Sequence, residues 1–321
     1  MPVDPEDRGL GEIVLRYVQR RLLIAIPVIL GVATLVFAIM HLLPGDPAEV
    51  MMAQSGGQAE MIERLRHQLG LDLPLHVQFL RFLRNLARGD LGESIWLRKP
   101  VSQILLQQLP ATLELAIAAM VLAMTGGVAL GLLAALKRGS WVDRGVMIVA
   151  SVGISMPVFW SSLLGIYLFA AQLHWLPATG QGDLRHLILP AAVLGYGAGG
   201  SVARLVRSSM LEVLGQEYVT AAVAKGLFWR IVVLRHALKN ALIPVITMLG
   251  LQFGGLLGGA VITETVFSRQ GLGRTMVDAI VWKDFPLVQG GVILIAGMYI
   301  LVNLAVDVLY AFVDPRIRYG A

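Results

Sequence analysis

An all-α, polytopic membrane protein with six transmembrane helices is the fold this sequence predicts, and three observations predict it. Of 321 residues, 56% are hydrophobic and only 15% charged, with a positive mean hydropathy; one soluble core cannot hold that much apolar side chain. Six stretches, 18–43, 111–136, 145–172, 187–210, 241–265 and 287–312, are long enough to cross about 30 Å of hydrocarbon at about 1.5 Å per residue. The 26 Lys and Arg residues collect mainly between alternate stretches. Backbone in lipid must satisfy its hydrogen bonds within its own segment, so the stretches are read as helices.

Taken in order, Arg16, Arg20 and Arg21 precede an apolar run from Leu22 to Leu43. That run exceeds a signal-peptide core and no small-x-small cleavage site follows it, so 1–43 reads as a cytoplasmic N-terminus and a retained first span. Residues 44–104 form a helical insert. Asp46-Pro47 suits a cap and first helical residue. Ile62, Leu65 and Leu69 mark one amphipathic helix, Phe79, Phe82, Leu83 and Leu86 a second, and Gly89-Asp90-Leu91-Gly92 a turn. Residues 105–312 hold the other five spans, with a polar loop at 211–240, and 313–321 is a tail. With the N-terminus inside, Lys137, Arg138, Arg144, Arg204, Arg207, Lys225, Arg230, Arg235, Lys239, Arg316 and Arg318 are cytoplasmic. The short outer loops then carry only Arg185, Arg269, Arg274 and Lys283. Both termini are therefore expected in the cytoplasm and the insert outside.

Spans four and five are rich in glycine: Gly195, Gly197, Gly199 and Gly200 in one, Gly250, Gly254 and Gly258 at four-residue spacing in the other. Small residues let helices approach closely in lipid. Static packing and a sliding or bending gate surface both fit. Ionisable groups inside spans are few. Glu114, Glu264 and His41 lie near span ends, where water is in reach, and interfacial placement is expected for all three. Asp307 lies one turn beyond Asn303 at a depth similar to Arg204 and Arg207, and a pairing of Asp307 with either arginine would hold the cytoplasmic end in one state.

The loop 211–240 is the most informative stretch. Ala221, Ala222 and Ala224 make a thin helix that Gly226 can stop. In the helix that follows, Ile231, Leu234, Leu238 and Ala241 recur at near-helical spacing among Arg230, Arg235 and Lys239. Two helices hinged at a glycine form a lever. The chain holds no machinery to drive it: no G-x-x-x-x-G-K-[ST] phosphate cradle, no H-E-x-x-H, and Ser151 and Ser155 without G-x-S-x-G. Cysteine is absent, which excludes disulfides and thiolate metal sites. Its six histidines lack ligand spacing, its cations do not cluster with aromatics as in a nucleic-acid binder, and no cofactor is expected on it. An ion-coupled secondary transporter would need a coupling site at mid-membrane, for which Asp307 is the one, off-centre, candidate.

This loop resembles the EAA loop of ABC-importer permeases in the form found in the peptide-importer branch: Thr220-Ala221-Ala222, three residues, Gly226, then Arg235-His236-Ala237-Leu238 and Pro244. It departs from the general pattern, which has an acid at Thr220 and Leu-Pro at Ala237-Leu238. Leu43-Pro44-Gly45-Asp46-Pro47, Leu69-Gly70-Leu71-Asp72 and Gly89-Asp90-Leu91-Gly92-Glu93-Ser94 are similar to the B-type subunit of that branch. So are Pro110-Ala111-Thr112-Leu113-Glu114-Leu115, Pro157-Val158-Phe159-Trp160, Trp175-Leu176-Pro177 and Asp314-Pro315-Arg316-Ile317-Arg318. The resemblance implies a type I ABC importer permease fold in the bacterial inner membrane and a homologous C-type permease as partner. It further implies two cytoplasmic ATPases carrying ATP and Mg, and an extracytoplasmic solute-binding protein. Its cargo would be short peptides, with nickel or glutathione as alternatives. Coupling to the ATPases falls to Glu217, Tyr218, Thr220, Ala221, Ala222, Lys225, Gly226, Phe228, Trp229, Arg230, Arg235 and His236. Gating falls to Arg204, Arg207, Asp307, Gly254 and Gly258, and docking of the binding protein to Phe267, Arg269, Gly271 and Gly273 with the 44–104 insert.

Overall fold

The computed structural model describes residues 10–42, 47–50 and 59–313, all helix and connecting loop apart from one isolated β-bridge between Glu93 and Pro100. Two compact units emerge, one of residues 1–110 and 274–311, the other of 111–273 with the last residues of the chain. Five helices are long and apolar enough to cross a membrane, and a bent pair makes a sixth if counted as one span.

In the first unit, α1 runs Leu10–Leu42, with Leu22, Leu23, Ile24 and Ile26 exposed as lipid-facing side chains would be. The expected insert helices are α2, Ala59–Leu69, and α3, Leu75–Ala87. Gly70 links them at φ +70°, a left-handed turn closed by Leu71 N donating to Arg66 O at 3.0 Å, the helix-stop geometry that favours glycine. The aromatic face of α3 packs on the end of α1: Phe37 lies 5.1 Å from Phe79 and 6.0 Å from Phe82, ring to ring. His41, expected in interfacial water, is half-buried here, its ring nitrogens bonded to Phe37 O (2.8 Å) and the Gln78 amide oxygen (3.1 Å). The loop after α3 is fastened by Asp284, fully buried, whose Oδ2 accepts from Ser94 Oγ at 2.5 Å and from Trp96 N at 3.3 Å. Asp284 thereby joins the insert to the start of the last span.

Helix α4, Val101–Leu136, begins ten residues before the apolar stretch that announced it, and three residues inside the expected end of the insert at 104. Pro100 starts it, accepting from Gln103 N and Ile104 N, and Pro110 sits within it. The early turns are polar on one side, which is why hydropathy alone placed the start at 111.

The second unit is built around α7, Arg185–Leu214, with α5, Trp141–Ser155, α6, Val158–Gly165, and α11, Ile243–Val266, against it. The expected continuous span 145–172 is instead two helices meeting at 114°. Met156 is extended (φ −84°, ψ 125°), as a residue before proline tends to be, and Pro157 starts α6, which continues as a π-helical turn over Ile166–Gln172. The glycines of α7 serve close packing. A Cβ on Gly200 would stand 2.4 Å from Ala150 O of α5, one on Gly195 2.5 Å from Ala119 O of α4, and one on Gly131 of α4 2.5 Å from Ala203 O. The α11 glycines differ: around Gly255 and Gly258 nothing lies within 4 Å. Gly200→Ala is therefore expected to lower unfolding stability in detergent by about 2 kcal/mol, the scale of an overpacked core. Gly258→Ala should leave it within about 0.5 kcal/mol. Equal melting behaviour of the two variants would refute this account of the stripe.

Candidate coupling and gating sites

The hinged lever exists as two helical pieces. Helix α8, Glu217–Ala224, ends at Gly226, whose φ of +79° lets Gly226 N donate to Val223 O (2.9 Å) and Leu227 N to Ala222 O (3.3 Å). The second piece is not one regular helix. It starts as α9, Trp229–Ile231, widens into a π-helical turn over Val232–Ala237, and resumes as α10, Leu238–Ala241. The wide turn has a packing reason: it turns adjacent Val232 and Val233 and then Ala237 inward, all at most 3% exposed. Val233 and Ala237 share a cluster with Val202, Val206 and Met210 of α7. Val219 of α8 is also buried, at 3% exposed, and Asn240 Nδ2 donates to Tyr218 Oη at 2.8 Å, tying the pieces together.

Outward, the lever presents Phe228, 80% exposed, and Trp229, 52% exposed. Glu217, Tyr218, Thr220, Ala221, Lys225, Gly226, Arg230 and Arg235 are also exposed, while Ala222 and His236 are half-buried. The structure thus brings the twelve expected coupling residues onto one elbow, with bulky apolar tips between cations and a buried valine backing. Such a tip can transmit force because its root is packed into α7.

At the α5 start, Ser140 caps the helix, its hydroxyl accepting from Asp143 N. The Asp143 carboxylate, 3% exposed as a residue, receives Arg207 Nε at 2.6 Å and Nη2 at 2.8 Å, and Gly139 N at 2.9 Å. This bidentate clasp joins α5 to α7. Arg207 is therefore held by Asp143; the side chain of Asp307, the partner expected for it, lies outside the described residues, and Arg204 is exposed.

The opposite end of α11 carries a buried acid. Glu264 is fully buried, a correction to its expected interfacial placement. Its Oε1 accepts from Thr112 Oγ1 at 2.5 Å, and that hydroxyl also accepts Leu272 N at 2.8 Å. The loop 267–273 closes over the carboxylate: a Cβ on Gly271 would fall 2.3 Å from Glu264 Oε1, and one on Gly273 2.4 Å from Val261 Cα. Arg269, 2% exposed, bonds the half-exposed Glu114 carboxylate through Nη2, so Glu114 too has a protein partner. Phe267 is 1% exposed and packs with Leu189 and Val193. The four expected docking residues, Phe267, Arg269, Gly271 and Gly273, are all buried inside the chain, and the loop exposes Ser268 and Gln270 instead. The glycines are there because Glu264 and Val261 occupy the space of their side chains. Beside this cap, the Asp183 carboxylate accepts from His186 Nδ1 at 2.8 Å, which holds its pKa below the usual carboxylate range.

Comparison with known proteins places this arrangement. The family described as binding-protein-dependent transport system inner membrane component matches residues 127–319, and its N-terminal counterpart matches 14–116. The chain belongs to this family of inner-membrane transport components. Among similar proteins, the di/tripeptide transport system permease protein DppB of Pseudomonas aeruginosa (strain UCBPP-PA14) is 47% identical over 95% of this chain and 99% of its own length. The dipeptide transport system permease protein DppB of Alkalihalophilus pseudofirmus is 42% identical over 95% and 100%. The glutathione transport system permease protein GsiC of Salmonella paratyphi A is 47% identical over 95% and 99%. The inward-facing methionine ABC transporter MetNI matches in fold, with a TM-score of 0.54 at 19% identity over 66% of this chain and 97% of its own.

This permease is thus a multi-pass inner-membrane subunit, and membership of its family implies ATPase partners and a paired permease. Sequence reasoning found its lever, whose signal was the alanine-glycine pattern. It missed the Asp143–Arg207 clasp, for which the local trace was Ser140 three residues before Asp143, a capping pattern. It missed the Glu264 cradle altogether, because no local signal marks a carboxylate that closes on glycines several residues ahead.

Proposed function

We propose that this chain is the B-type permease of an ATP-driven importer of short peptides. It pairs with a homologous C-type permease, takes force from two cytoplasmic ATPases that carry ATP and Mg, and receives cargo from an extracytoplasmic binding protein. Both termini and the elbow lie in the cytoplasm, and the 44–104 insert lies outside. The observation that carries this reading is the elbow: exposed Phe228 and Trp229 among Lys225, Arg230 and Arg235, rooted in α7 through Val233 and Ala237. Such a surface suits insertion into a groove on a partner, with the cations facing its carboxylates. The open face of α11 at Gly255 and Gly258 suits close approach of the second permease, and leaves Gly254 and Gly258 a gating role at that contact.

The curated relatives favour di- and tripeptides, with glutathione, itself a peptide, as the second reading. The test is reconstitution with the second permease, both ATPases and the binding protein in proteoliposomes. Labelled tripeptide is expected to accumulate only with ATP, and excess glutathione or unlabelled tripeptide to compete according to cargo. Accumulation by the lone chain on an ion gradient would overturn the proposal.

A further inference from the structure

A cavity of about 230 Å³ opens in the unit of residues 1–110 and 274–311, where the end of α1, helix α3 and the start of the last helix, α13 (Phe285–Val313, which follows α12, Leu272–Val281), come together. This is somewhat below the ~300 Å³ at which drug-sized ligand sites begin, and suits a ligand of one or two residues. Its floor is aromatic, with Phe37, Phe82 and Phe285. Into it faces Gln289, a side chain 7% exposed whose amide makes no hydrogen bond within the described residues. A primary amide offers both a donor and an acceptor, the complement of a peptide bond. The neighbouring polar ring is not available for this, since both His41 nitrogens are already bonded.

The rim carries both signs of charge. Arg81 is exposed, and its guanidinium lies across Gly70, where Nη1 would stand 2.9 Å from an added Cβ. Glu93 is exposed on a backbone fixed by its bridge to Pro100. Neither makes an ion pair among the described residues. Aromatic floor, free amide and opposite charges at the mouth describe a zwitterion with an apolar side chain; a lipid phosphate would call for cations alone, and an internal protein loop has no charged ends.

We infer that this cavity binds a free short peptide, with an apolar side chain on the phenylalanines, the peptide bond on Gln289, the carboxylate on Arg81 and the ammonium group on Glu93. Two residues span at most about 7 Å, the scale of a cavity of about 230 Å³. The choice of ligand rests on the importer reading above, and the site deepens it by placing a cargo station on the permease itself.

The experiment uses the full chain in phosphatidylcholine nanodiscs with tritiated Ala-Phe as probe. Saturable binding is expected, weakened about fivefold or more, roughly 1 kcal/mol, by Gln289→Leu, Arg81→Gln or Glu93→Gln. Because Gln289→Leu could disturb packing, the exposed rim variants carry the decision together with blocked peptides. Ala-Phe amide should bind more weakly and be insensitive to Arg81→Gln, and N-acetyl-Ala-Phe should be insensitive to Glu93→Gln. No saturable binding, or binding unaltered by all three substitutions, overturns the site. ATP-dependent uptake of Ala-Phe by the complete complex separates the two claims. Uptake without binding to the chain overturns the site and leaves the importer reading, whereas binding without uptake supports the site and counts against that reading.

Discussion

Gly226→Trp is expected to abolish stimulation of the partner ATPases by the loaded binding protein, and with it transport, while the subunit still inserts and assembles with its paired permease. Gly226 sits at φ +79°, so any side chain there carries a left-handed strain of about 1–2 kcal/mol. Nothing lies within 4 Å of its Cβ position, so a side chain starts into open space. Gly226→Ala separates the two effects. It brings the backbone strain with almost no bulk, and should retain at least about a fifth of coupling if strain costs the docked state under 1 kcal/mol more than the free state. If the elbow inserts into a partner's groove as proposed, an indole adds a clash there to the strain and should leave coupling at background. Helicity and membrane insertion should match wild type in both, because Val219, Val232, Val233 and Ala237 root the elbow independently of residue 226. ATPase rate in the reconstituted complex, with and without binding protein, is the measurement. Full stimulation in Gly226→Trp would mean that force enters the permease elsewhere.

What the sequence makes legible follows the range of the interaction. Apolar stretches of twenty or more residues report directly on helices in lipid, so α1, α7, α11 and α13 appear near where expected and α4 is found with an earlier start. The elbow is legible because alanines, Gly226 and spaced cations are local facts. The 114° bend is signalled by Pro157 but is hidden by the apolar residues on both sides of it, since averaged hydropathy is blind to direction. The π-helical turn at Val232–Ala237 depends on two adjacent valines both being buried, and no periodicity could announce it. The loop 267–273 is the instructive error. Glycines and an arginine between two spans read as an exposed docking tip, yet Arg269 is 2% exposed and Gly271 is small because Glu264 fills its place. A glycine that makes room for a distant carboxylate looks, in sequence, the same as one that makes a turn.

Arg207→Ala is the second large effect, expected to lower unfolding stability by about 3 kcal/mol, the lower part of the range for breaking a buried pair, and to depress transport. The substitution strands the Asp143 carboxylate, whose side chain is 5% exposed and which then keeps only Gly139 N. Arg207 itself is 28% exposed, so water can reach the vacated position and spare part of the full penalty. Asp143→Asn should be milder, about 1–2 kcal/mol, because an amide keeps an acceptor for the guanidinium and leaves no buried charge behind. The double variant Asp143→Leu with Arg207→Leu removes both charges at once and should recover much of the stability. Transport then decides what the clasp is for. If it only glues α5 to α7, transport returns with stability in the double variant. If the clasp must hold one arrangement of those helices against another, the double variant melts near wild type yet its complex hydrolyses ATP without moving cargo, because apolar contacts restore cohesion without restoring a directional bond that opens and closes. A double-mutant cycle read on both melting and uptake separates these cases, and a coupling energy near zero on both readouts would remove the clasp from the mechanism.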